Sequence, residues 1–120
     1  MAKLTVEAVA NEALSDKIMD LLVSVIDDAG VPVTGLSAAN FKVGSPMREL
    51  LETPVVTNTY DLSAVALPGS YEVQIELSQG QAWVAQIYPL VLAVARTRHS
   101  QGIVLPILDQ GQTVLRLEIP

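Results

Sequence analysis

Residues 69–80 read GSYEVQIELSQG, and the alternation within them is strict. Tyr71, Val73, Ile75 and Leu77 fall on one side of an extended chain, with Glu72, Gln74, Glu76 and Ser78 on the other. Successive side chains of a strand point to opposite faces, so a period of two with one apolar side describes a half-buried antiparallel strand. Residues 112–120, QTVLRLEIP, repeat the pattern, with Leu115, Leu117 and Ile119 inward, Val114, Arg116 and Glu118 outward, and Pro120 closing the run.

Working outward, residues 20–30, DLLVSVIDDAG, are rich in β-branched side chains and stop at an Asp-Ala-Gly turn. The opening residues 3–10, KLTVEAVA, place Leu4, Val6 and Ala8 on one face. Residues 81–96, QAWVAQIYPLVLAVAR, are too long for one ordinary strand and contain Pro89, which predicts a strand, a bend at the proline and a second strand. Residues 102–108, GIVLPIL, predict a further short strand interrupted at Pro106. Turn signals fall at Gly44-Ser45-Pro46, Pro68-Gly69, Gln79-Gly80, Ser100-Gln101-Gly102 and Gln110-Gly111. Two stretches have helical alternatives: NEALSDKIMDLL from Asn11, with Leu14, Ile18 and Leu21 at helical spacing, and SPMRELLE from Ser45, with a serine cap and a proline at the first helical position. Many short strands with frequent turns indicate a sandwich or barrel rather than βαβ units.

The chain has 120 residues, enough for one domain with its own core, and the expected architecture is a single all-β, antiparallel sandwich over residues 1–120. Half of the residues are apolar, but the longest apolar runs fall well short of the roughly 18–20 residues a bilayer crossing needs, so no membrane span is expected. The start MAKLTVEAVANE carries Glu7 and Glu12 where a leader would be greasy, so no signal peptide is expected; the chain is read as cytoplasmic or as a domain cut from an exported parent. A net charge of −6 argues against nucleic acid and anionic lipid as general partners.

LLVSVIDDAGVPVTGLSAANFKV, from Leu21, resembles the opening of many bacterial immunoglobulin-like modules, where a strand runs into Asp-x-x-Gly, then Pro-Val-x-Gly-Leu, then Asn-Phe and a further strand. LPGSYEVQIEL, from Leu67, is similar to the Pro-Gly-x-Tyr-x-Val segment of immunoglobulin-like and transthyretin-like sandwiches. The resemblance implies about seven strands, with one or two short helical turns, displaying loops or stacking in arrays. It also implies a Tyr71 hydroxyl bonded to nearby backbone, as in the tyrosine corner of such folds. Some pilin-like and adhesin-like relatives carry a Lys–Asn amide bond between first and last strands. Lys3 suits the lysine role, but QTVLRLEI has no asparagine, so that bond is not expected.

With no cysteine and one histidine, thiol catalysis and multi-histidine metal sites are excluded, and no phosphate-binding glycine loop occurs. No enzyme, no cofactor and no metal are therefore expected. The cluster ARTRHSQG, residues 95–102, groups three of the eight potentially cationic side chains. Arg96 and Arg98 share one strand face, and with His99 and Gln101 they form the candidate contact tip for a carboxylate or phosphate on a protein partner. The competing reading is a solvated turn whose arginines pair with acids. Trp83, Asp27, Asp28 and Asp109 form the alternative set, an exported carbohydrate-binding or adhesin site with a sugar ligand, to which Asn40 would add a calcium oxygen. An aromatic at a strand start is more often core, and adjacent aspartates in a turn more often fix local hydrogen bonds. The leading expectation is a non-catalytic interaction or structural module that binds a protein partner or self-associates as a homo-oligomer.

Overall fold

The computed structural model describes residues 3–44, 54–77, 81–98, 102 and 106–119. Seven antiparallel strands form two sheets: β1 (Thr5–Ala13), β2 (Ile18–Ile26), β3 (Phe41–Gly44), β4 (Pro54–Asp61), β5 (Ser70–Leu77), β6 (Gln86–Arg98) and β7 (Ile107–Ile119). One sheet runs β1-β2-β5-β4 and the other β3-β6-β7. Among the described residues helix is confined to two 3₁₀ turns, Ala38–Asn40 and Leu62–Val65, and none is long and apolar enough to cross a membrane.

The core lies where the inward rows meet. β2 contributes Met19, Leu21, Val23 and Val25, β5 contributes Tyr71, Val73, Ile75 and Leu77, and the facing sheet contributes Phe41, Val43, Tyr88, Leu90, Leu92, Val94, Leu115 and Leu117. Each such side chain, fully buried, stabilises the fold by about 1.5–3 kcal/mol. The strands read from alternation are present, and Leu36 and Phe41 join the core. Gly30 and Gly35 take φ of 79° and 78°, the left-handed values that suit glycine in the crossover between the sheets.

Four expectations are corrected. NEALSDKIMDLL is not helical: Asn11–Ala13 end β1, Ser15 Oγ accepts from the amides of Lys17 and Ile18 at 3.1 Å each, and the chain returns as β2. A strand there buries Met19 and Leu21 against the facing sheet, which an isolated helix would not. Pro89 does not break the chain, and β6 pairs with β7 from Gln86↔Ile119 to Arg98↔Ile107 without a register shift. The amide of Leu4 donates to Gln110 O at 2.9 Å, so Gln110 turns its backbone away from β6. By alternation Arg116 does likewise, and Pro89 opposite it needs no N–H for this ladder. The short strand expected over GIVLPIL is corrected only at its end: Ile107 and Leu108 open the thirteen-residue β7, while residues 103–105 lie outside the described residues.

Gln110-Gly111, fourthly, is not a turn but mid-strand. Lys3 bridges Gln110 in parallel, and the backbone of Leu4 passes so close that a Cβ at Gly111 would lie 2.1 Å from Leu4 O. Glycine is there for the close approach. β4 was not foreseen in the sequence, and the SPMRELLE helix falls outside the described residues, as do Ser78–Gly80 and His99–Gln101.

Tyr71 is fully buried and its hydroxyl donates to Val33 O at 2.5 Å while accepting from the amide of Leu36 at 3.3 Å. The hydroxyl does bond backbone, but its partners are not the nearby residues of a tyrosine corner: they lie on the β2–β3 crossover, far back in sequence. Burial holds the phenol above its ordinary pKa, against the Leu36 hydrogen bond, with the Asp61 charge adding to the rise and Arg96 opposing it.

Two outcomes follow. Gly111→Ala is expected to cost more than about 2 kcal/mol in denaturant unfolding, whereas Gly44→Ala, with nothing near its Cβ position, should cost far less. A raised folded-state pKa stabilises fully below the unfolded value and is lost as pH rises through the folded one. The stability of wild type relative to Tyr71→Phe should therefore fall with alkali only above about pH 10, as read from unfolding midpoints across pH.

Candidate functional site

On β6 the inward row Tyr88, Leu90, Leu92 and Val94 continues in phase to Arg96 and Arg98, and on β7 the row Leu117, Leu115, Thr113 and Gly111 continues to Asp109. Where the apolar interior gives way to solvent, these three charged side chains meet. Arg96 stands directly opposite Asp109, and Arg98 opposite Ile107. Asp109 is fully buried, and its Oδ2 accepts from Arg96 Nε at 3.0 Å and Arg98 Nε at 2.6 Å. The arginine side chains are 25% and 45% exposed, so both reach from the buried acid into water.

The expected pairing of the two guanidinium groups on one face is present, but that face is the inner one. Burying a carboxylate is costly unless it is paired and hydrogen-bonded, and two arginines supply both. The Asp109 hydrogen bond is the main influence holding Arg98 above its usual pKa, opposed by desolvation and helped by the charges of Asp109, Asp28 and Asp27. Five of the residues singled out in the sequence, Asp27, Asp28, Arg96, Arg98 and Asp109, therefore act on one end of the molecule. His99 and Gln101 lie outside the described residues.

The members of the alternative set are occupied by local structure. Asp27 Oδ1 accepts from the amides of Ala29 and Val31 at 2.9 Å each, fixing the turn after β2, while Asp28 is exposed. Asn40 Oδ1 accepts from the amide of Ser37 at 2.9 Å, and its Nδ2 donates to Ala95 O at 2.9 Å, tying the first 3₁₀ turn to β6 beside Arg96. Among the described residues no three His, Cys, Asp or Glu side chains come together in a way that could hold a metal ion. Trp83 is 7% exposed, packs edge-on against Tyr88 at 4.8 Å between ring centres and donates Nε1 to Lys17 O at 2.9 Å. Its ring is a core element, so the open stacking face a sugar needs is covered.

Two polar devices escaped sequence reasoning. Asp61 caps the second 3₁₀ turn, its Oδ1 accepting from the Ser63 amide at 2.8 Å and the Ser63 hydroxyl at 2.6 Å, while its Oδ2 accepts from the Gly35 amide at 2.8 Å. The Ser63 hydroxyl, then the Gly35 and Ser63 amides, lower its pKa. The Asp-x-Ser spacing in DLSA was the available signal. Asp20 is buried on the outer side of β2 and accepts from Asn11 Nδ2 at 2.9 Å. Asn11 sits at the β1 register shift, which no spacing rule reveals.

Asp109→Asn should destabilise the fold by about 2–4 kcal/mol, because it removes the charge that holds two partly buried cations; equilibrium unfolding of the variant beside Arg98→Ala, expected to lose less, would measure it. Comparison with protein-family models, curated proteins and solved structures finds no match for this chain in any of the three.

Proposed function

We propose that this chain is an immunoglobulin-like module that works by protein contact, without catalysis, and is built into a larger assembly. The strand order supports the immunoglobulin-like part: β1-β2-β5-β4 opposite β3-β6-β7 corresponds to the ABED and CFG sheets of the constant-type fold. Fold alone does not assign a function.

The functional part is carried by the outer face of the three-stranded sheet. Ile87, Leu108 and Val114 are exposed there, with Pro89, Val91 and Ala93 half-buried between them, and the polar neighbours Gln110 and Gln112 are uncharged. Among the described residues, charge enters this face only through Lys42, Arg116 and Glu118. The outer side of the other sheet also exposes apolar side chains, Val9, Leu22, Val55 and Tyr60, but sets Glu7, Glu12, Asp20, Glu72 and Glu76 among them, with no Lys or Arg on any of its four strands. A water-facing antiparallel sheet ordinarily alternates to polar, so a weakly charged apolar face marks a surface made for contact. Arg96 and Arg98 sit at one end of the same sheet, where the parts of their guanidinium groups not spent on Asp109 can take an acidic group of a partner.

The test is affinity capture from native extract with wild type and a Leu108→Asp, Val114→Asp variant, both shown by thermal melting to be folded. A defined protein retained by wild type and lost from the variant is the expected result; equal retention by both baits, or by neither, would overturn the reading.

A further inference from the structure

We propose that β7 is the edge at which a second copy of this chain docks, β7 against β7 in antiparallel about a two-fold axis through Leu117. Arg116 of each copy then stands opposite Glu118 of the other. This rests on the contact-module reading and gives it a partner and a register.

Three of the four edge strands are blunted, each in its own way. β1 shifts register between Ala10 and Glu12, β4 starts at Pro54 and shifts between Val56 and Asn58, and β3 is four residues long. Bulges, prolines and short strands are the usual protection against edge-to-edge pairing. β7 has none of these over its thirteen residues. Lys3 and Leu4 cover its outer edge at Gln110, and beyond that point no backbone group among the described residues pairs with it. Because Gln110 directs its carbonyl to that edge, alternation directs the N–H and C=O groups of Gln112, Val114, Arg116 and Glu118 there too.

An antiparallel second copy must set its own outward-directed residues opposite some of these, which several registers satisfy; with the axis through Leu117 the two β7 strands overlap over residues 115–119, and Arg116 and Glu118 are the outward-directed pair. Charge selects among them. Arg116 opposite Arg116 opposes like charges, and Arg116 opposite Val114 leaves the two arginines on the diagonal. Arg116 opposite Glu118 makes two opposite-charge pairs on one face, flanking a Leu117–Leu117 pair on the other. Neither residue has an ion pair within its own chain among the described residues. The pairing extends the outer-face rows across the axis, from Ile87 and Glu118 of one copy to Arg116 and Pro89 of the second. A closed two-fold contact of this kind uses the same patch on both copies and terminates itself.

Sedimentation velocity over a concentration series should show a reversible dimer. Arg116→Glu and Glu118→Arg should each weaken it at least about tenfold, and the two combined in one chain should restore it to within about threefold of wild type. The chain has no cysteine, so introduced thiols report cleanly. Mixed Arg116→Cys and Glu118→Cys chains should form a disulfide-linked dimer under mild oxidation, far more than either variant alone. A wild type that stays monomeric overturns the proposal, as does a charge swap without rescue or a mixture that links no better than its parts. Extract capture judges the contact-module reading separately, since a monomer can still bind a different protein and a dimer need not bind one.

Discussion

The hydroxyl of Tyr71 secures the place where the chain first leaves one sheet for the other. It donates to Val33 O and accepts from the Leu36 amide, and its ring meets Phe41 edge-on at 5.4 Å between centres. From that anchor the order passes stepwise. Leu36 delivers Ser37 to Asn40, Asn40 binds Ala95 O, and Arg96 follows at once with its guanidinium on Asp109. A sandwich has little holding its layers in register except side chains, because no ladder bond runs between sheets. Here one phenol and one amide supply directional links that apolar packing, being non-directional, does not.

Legibility followed alternation. Residues 69–80 and 112–120 could be read because their inner and outer rows differ sharply in polarity. β4 could not, since its register shift beside Thr57 breaks the period and its outer side mixes Val55 with Asn58 and Tyr60. Pro89 and Gly111 carry strong local signals for a bend and a turn, and tertiary context overrides both: one needs no ladder bond on its paired side, the other yields its side-chain space to Leu4. The Arg–Asp cluster was half legible. Counting by twos from Leu90 reaches Arg96 and Arg98, and counting back by twos from Leu117 reaches Asp109, so their shared inward face was available from parity. That they meet required the β6–β7 register, which depends on the connection between them.

The chemistry-bearing side chains that stand out in the sequence are largely spent on structure. Asp27 and Asp61 close turns, Asn40 bridges a turn to a strand, Trp83 and Tyr88 pack together, and Asp109 gathers two arginines. Among the described residues, what remains for the outside world is surface: a sheet face that mixes acidic with apolar side chains, a weakly charged one on the other side, and one regular strand edge.

The bridge from Lys3 and Leu4 to Gln110 sets the timing of assembly. The segment before β1 finds this partner only once β7 has been made, and contacts this remote in sequence are slow to form because the loop they close is long. On a ribosome, β1, β2, β4 and β5 can pair before β6 and β7 emerge, leaving Leu21, Val23, Val73 and Ile75 facing water until the second sheet arrives. The newborn molecule thus passes through an interval in which half of its future interior is on display, and its exposure to misassociation is greatest before its own last strand closes over it.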